Sequence, residues 1–110
     1  MLTEAKKKEL KEKFGDELFA TTLDSGRTFV WKPLSRSEHR QIINETAEIP
    51  NDFDMISERT KRFCIACVVY PEDKKDVEAA IDKYAGLAET LSNEIYRKSG
   101  FDLKTETTEL

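Results

Sequence analysis

At 110 residues the chain has the length of one domain, and its 38% apolar and 36% charged residues make it leaner in oil and richer in charge than the usual roughly 45 to 50% and 25%. The core must therefore be small. A formal net charge of -4 and a pI near 5.1 argue against a nucleic-acid partner, because phosphate binding needs clustered Lys and Arg with a net positive face. No apolar run approaches the roughly 18 residues of a membrane span, and Met1-Leu2-Thr3-Glu4-Ala5-Lys6-Lys7-Lys8 lacks the apolar stretch of a secretory signal. These features predict a cytosolic protein, no membrane partner, and two cysteines kept as thiols.

Along the chain, residues 3–14 place Leu10 and Phe14 among alternating Lys and Glu, with Gly15 able to end a helix; the expectation is a short, mostly solvated helix. Its lysines are interleaved with acids, as on a solvated face rather than a lipid-binding arm. Residues 17–32 then read as a β-hairpin, with β-rich runs on either side of Asp24-Ser25-Gly26. Phe19, Thr21 and Leu23 share one face, as do Phe29 and Trp31. A lone hairpin is marginal in water, so helices must cover that face.

Lys32-Pro33-Leu34 closes the second strand, and Ser35-Arg36-Ser37-Glu38 has the capping-box spacing that starts a helix. His39, Ile42, Ile43 and Ala47 supply its apolar stripe, up to the stop at Pro50. Asn51 and Asp52 can cap a longer helix in which Phe53, Ile56, Thr60, Phe63, Cys67 and Tyr70 recur at spacings of three and four. Residues 63–70 are apolar all round and mark the centre of the core. They are read as helix, with a buried strand as the alternative, since periodicity cannot separate the two over so short a run. Val77, Ala80, Ile81 and Tyr84 define another helical face. After Gly86, Leu87, Leu91 and Ile95 define a last helix, with Gly100 at its left-handed C-cap and Phe101 free to pack back. The resulting fold class is mainly α with a small N-terminal β-hairpin (α+β), its helices packed on the hairpin in a single domain over residues 1–101. Residues 102–110 are expected to form a disordered tail.

The chemistry-bearing residues are few. Cys64 and Cys67 have the spacing of a zinc or redox pair, yet a structural zinc needs four ligands, and His39 is the only histidine. Buried, inert thiols are the favoured reading, ahead of metal and redox roles. His39 lacks a marked nucleophile and orienting acid, so it is read as a solvated helix residue. The four glycines are isolated and form no phosphate loop. Carboxylate pairs at Asp52/Asp54 and Glu72/Asp73 fit helix N-termini. No cofactor, metal or enzymatic activity is expected. Phe29 and Trp31 are either covered core or aromatics offered to a partner, with core favoured. Arg59, Lys61 and Arg62 form a basic group read as a solvated face, with an acidic partner as the alternative.

Three stretches taken together, Phe29-Val30-Trp31-Lys32-Pro33-Leu34-Ser35-Arg36-Ser37-Glu38, Cys67-Val68-Val69-Tyr70-Pro71, and Ala85-Gly86-Leu87 through Ser99-Gly100-Phe101, resemble small tail assembly chaperones and tail or baseplate assembly proteins of long-tailed bacteriophages. The resemblance spans residues 17–101 and carries no catalytic residue. It implies a protein of the host cytoplasm that keeps a tail component of tape-measure type soluble, or that enters the virion tail; self-association is compatible with either role. Such a protein would cover the apolar stripe of a partner helix with a groove of its own, for which Phe29, Trp31, Leu34, Ile42, Ile43 and Phe63 are the candidate residues. The competing reading is a regulatory adaptor or a helix-turn-helix DNA-binding protein built on residues 35–46 and 52–70, which the acidic charge disfavours.

Overall fold

The computed structural model describes residues 2–101 and 105–110. Helix α1 (Glu4–Phe14) starts at Thr3, whose hydroxyl accepts the Lys6 N–H. Strands β1 (Phe19–Thr22) and β2 (Thr28–Trp31) follow, in an antiparallel register that sets Phe19 opposite Trp31 and Thr21 opposite Phe29. The Gly26 N–H donates to the Leu23 carbonyl at 2.8 Å. Gly26 has φ of 90°, a left-handed conformation that glycine adopts without the Cβ penalty of other residues. Helix α2 (Arg36–Thr46) has the expected capping box: the Ser35 hydroxyl accepts the Glu38 N–H and the Glu38 carboxylate accepts the Ser35 N–H.

Helix α3 (Asp52–Cys67) is capped by the Asn51 side chain, which accepts the Phe53 and Asp54 N–H groups. The chain then passes with no intervening loop into strand β3 (Val68–Tyr70), which pairs antiparallel with β2 and makes it the central strand of three. This corrects the expectation of helix through residue 70. The free edge of β2 offers hydrogen bonds that Val68 and Val69, both β-branched, meet better as strand than as helix. The backbone switches at the helix end: the Cys67 carbonyl accepts the Lys32 N–H at 3.0 Å. The hairpin is thus the larger part of a three-stranded sheet.

Both faces of β2 are buried. Phe29 and Trp31 face the main core, shared with Leu34, Ile42, Phe63, Cys64, Cys67, Val68, Val77, Leu87, Leu91 and Ile95. Val30 and Val69 face the other way and pack with Leu10 of α1. The largely solvated α1 of the sequence reading therefore also serves as a lid on the second sheet face. Helices α4 (Lys74–Lys83) and α5 (Leu87–Tyr96) complete the main core. Tyr84 departs from its expected helical face and is exposed, because the chain turns extended there (φ -114°, ψ 107°). Thr46, not Ala47, completes the buried side of α2: the Thr46 hydroxyl donates to the Ile42 carbonyl at 2.8 Å and accepts from Arg59 Nε at 2.7 Å. A π-helical turn, Arg97–Phe101, ends the packed chain, with Gly100 at φ of 99°. Residues 102–104 of the expected tail lie outside the described residues; residues 105–110 carry no regular secondary structure and are exposed.

Lys74 closes the helix-to-strand junction, its ammonium donating to the Ile65 and Val68 carbonyls, both at 2.5 Å. These carbonyls lie where a helix has run out of its own donors and where its dipole favours a cation. Lys74→Ala is expected to lower stability by about 1 to 2 kcal/mol in urea unfolding, against less than about 0.5 kcal/mol for Lys75→Ala beside it. Equal effects at the two sites would show that the lysine cap contributes nothing.

Candidate functional site

Five of the six candidate groove residues lie in the core: Phe29 is 0% exposed, Trp31 and Phe63 2%, and Leu34 and Ile42 6%, while Ile43 is half-buried against the same cluster. This corrects the expectation of an open groove at these positions. The Trp31 indole stacks on Phe19 at 4.9 Å and donates to Thr21 Oγ1 at 3.0 Å, so both its apolar body and its polar handle are already satisfied within the sheet. The six residues do come together, but as the seam between the sheet, α2 and α3.

The apolar surface that remains lies further along α3. Phe53, Ile56, Thr60, Phe63 and Cys67 form one helical stripe, and its exposure falls along the helix from 81% at Phe53 and 60% at Ile56 to 2% at Phe63 and 0% at Cys67. At about 1.5 Å per residue, Ile56 and Phe53 lie about 10 to 15 Å beyond Phe63. Helix α3 therefore overhangs the elements that cover its other end. Ile49, in the loop between α2 and α3, is half-buried. The spacing of three and four marked this stripe in the sequence, but nothing local marked where its cover stops.

His39 is half-buried and not the plain solvated residue expected. Its ring stacks on Phe63 (5.6 Å, 10°) and meets Phe101 (5.1 Å) and Tyr96 (6.1 Å), tying α2 to α3, α5 and the π turn. Phe101 packs edge-on against Tyr96 at 4.7 Å, as the C-cap reading anticipated. Ser99 carries out the adjoining polar link: its hydroxyl accepts the Leu34 N–H at 2.7 Å and donates to the Ile95 carbonyl at 2.5 Å. Beside it, Lys32 Nζ contacts both oxygens of Glu38 at 2.9 and 3.1 Å. Burial alone would push the Glu38 carboxyl up, but hydrogen bonds from Lys32 and Ser35 outweigh it and hold the group below the usual glutamate range. The three stretches quoted for the phage resemblance thus meet at one place, through Lys32 to Cys67 and Leu34 to Ser99; each of these residues has a structural task there.

Arg59, Lys61 and Arg62 are engaged with side chains of α2, α4 and α3 itself instead of standing on a free face. Arg59 bonds Thr46, Lys61 lies 3.2 Å from Glu78 and 3.5 Å from Asp82, and Arg62 lies 2.9 Å from Glu58 and 3.8 Å from Glu45. Cys64 and Cys67 are free and buried, and the Cys64 thiol is placed to donate to the Ala88 carbonyl at 3.3 Å. Desolvation pushes both thiols up to about 12, with the neighbouring Cys67 adding to the effect on Cys64, and Glu38 to that on Cys67. The chain matches no protein-family model, no curated protein and no solved structure.

Phe29→Ala and Trp31→Ala should each destabilise the fold by about 3 to 5 kcal/mol in urea unfolding; a loss under about 1 kcal/mol would return these aromatics to the surface. The raised thiol values predict stability that is fully present below the ordinary thiol value of 9.0 and lost as pH rises toward about 12. Near neutral pH, iodoacetamide should label neither cysteine in the native protein and both in urea, read by intact mass. Rapid native labelling would contradict thiols held protonated in the core.

Proposed function

We propose that this protein is a non-catalytic protein-binding module that assists bacteriophage tail assembly, as a chaperone of a tape-measure-type component or as a minor tail or baseplate component. The observation that carries the protein-binding part is the uncovered end of α3: the stripe buried at Phe63 and Cys67 continues onto exposed Phe53 and Ile56, where a partner can extend the packing already present. The chemistry-bearing side chains support a non-catalytic reading, since both thiols are held protonated in the core and the His39 ring packs among three aromatic rings. The assignment to tail assembly rests on the sequence resemblance.

A helix-turn-helix role is opposed by electrostatics. The exposed start of α3, which would serve as the recognition helix, carries Asp52 and Asp54 in its first turn, while Arg59, Lys61 and Arg62 are engaged within the protein. Acids at the groove-facing end would repel phosphate.

Co-expression with the neighbouring gene products of its operon, capture at moderate salt and mass spectrometry of what stays bound test the proposal. A long, helix-rich tail protein is the expected companion. Recovery of nucleic acid, or of no companion, would overturn the assembly role.

A further inference from the structure

The tip at the end of α2 and the start of α3 combines exposed apolar side chains with an excess of acids, Arg59 on Thr46 and Arg62 by Glu45 being the basic side chains that reach it. Residues 41–58 contain Glu45, Glu48, Asp52, Asp54 and Glu58 and no Lys, Arg or His. Arg62 answers Glu45 and Glu58, whereas Glu48, Asp52 and Asp54 make no ion pair among the described residues. Asp52 and Asp54 sit in the first turn of α3, where carboxylates favour the helix dipole. Glu48 has no such explanation. It follows the C-terminal end of α2, which has no basic residue in its last turn and where the dipole favours a cation. Local helix stability does not account for this acid, and its charge adds to those of Asp52 and Asp54 in the same stretch of chain as Phe53 and Ile56.

The size of the patch selects among occupants. An aromatic side chain buries about 150 to 250 Å², so Phe53 and the smaller Ile56 together offer at most a few hundred Å², well short of the roughly 800 Å² per partner in a stable interface between two globular surfaces. One amphipathic helix, anchored at positions three apart and carrying basic flanks, matches both the area and the charge.

Resting on the protein-binding reading above, we propose that the α2–α3 tip docks a cationic amphipathic helix of a partner protein, with Phe53 and Ile56 as apolar anchors and Glu48, Asp52 and Asp54 as the complementary rim. The test is fluorescence anisotropy of the full chain with two labelled helices of about 18 residues sharing one leucine face, one with lysine and the other with glutamate on its polar face. The lysine helix should bind at least about tenfold tighter, and more weakly as salt rises from about 0.05 to about 0.3 M. Phe53→Ser and Ile56→Ser, both at exposed positions, should each weaken it about tenfold or more with the melting temperature little changed, and Glu48→Lys several-fold. Equal binding of the two helices, or binding indifferent to Phe53→Ser, would overturn the proposal. So would wild-type self-association in sedimentation that Phe53→Ser abolishes, since the occupant would then be a second copy. Repeating the operon capture with Phe53→Ser separates the two readings. A companion recovered equally by both forms removes this surface and leaves protein binding standing. No companion with either form, while the lysine helix binds through Phe53, removes the assembly role and leaves the surface.

Discussion

The junction between Cys67 and Val68 governs the arrangement of everything around it. A helix that runs straight into a strand has no loop to absorb a change of angle, so the axis of α3 is set by the pairing of β3 with β2. Three sets of contacts hold the junction: the ladder pairs of Trp31 with Val68 and Val30 with Tyr70, the Lys32 N–H on the Cys67 carbonyl, and the Lys74 ammonium on the Ile65 and Val68 carbonyls. Because successive strand residues point to opposite faces, Val68 enters the main core and Val69 the smaller core under α1. One short strand thereby joins the two apolar clusters of a chain with little apolar material.

The polar interactions near this junction explain why short sequence patterns there are structural. Ser35 starts α2, Glu38 closes the capping box and pairs with Lys32, and Ser99 ties the π turn back to Leu34. Each satisfies a backbone group at a place where the chain changes direction and secondary-structure bonding stops. Even the buried hydroxyl of Thr46 is used twice, as donor to Ile42 and acceptor from Arg59, and no buried side-chain polar atom among the described residues lacks a partner. In a low-dielectric interior this satisfaction keeps a small core ordered, since an unpaired buried polar group costs about 1 to 3 kcal/mol.

A consequence of fixing α3 by its C-terminal end is that its N-terminal end is free to project. Phe53 and Ile56 carry the same stripe as Phe63 and Cys67 but meet solvent, with Glu48 in the preceding loop and Asp52 and Asp54 in the same first turn of α3. The proposed partner surface is thus one that the fold leaves uncovered, while Phe29 and Trp31 of the hairpin are packed in the core that anchors the other end of the helix.

Local signals were sufficient for the α+β class, the hairpin and its turn at Gly26, the caps at Ser35 and Asn51, and the glycine stops at Gly15 and Gly100, because caps, turns and periodicity act over a few residues and are written in them. The third strand was not decided locally: Val68-Val69-Tyr70 suits helix or strand by pattern, and the free edge of β2, distant in sequence, settled it. The same limit applies to the candidate site. Period and hydrophobicity identify Phe29, Trp31, Phe53 and Ile56 alike as apolar residues needing cover, but whether cover exists depends on where α2, α5 and the π turn end in space. The sequence by itself determined which faces are apolar; only the tertiary structure decided which of them are closed, because burial is a property of neighbours that local bonding does not specify.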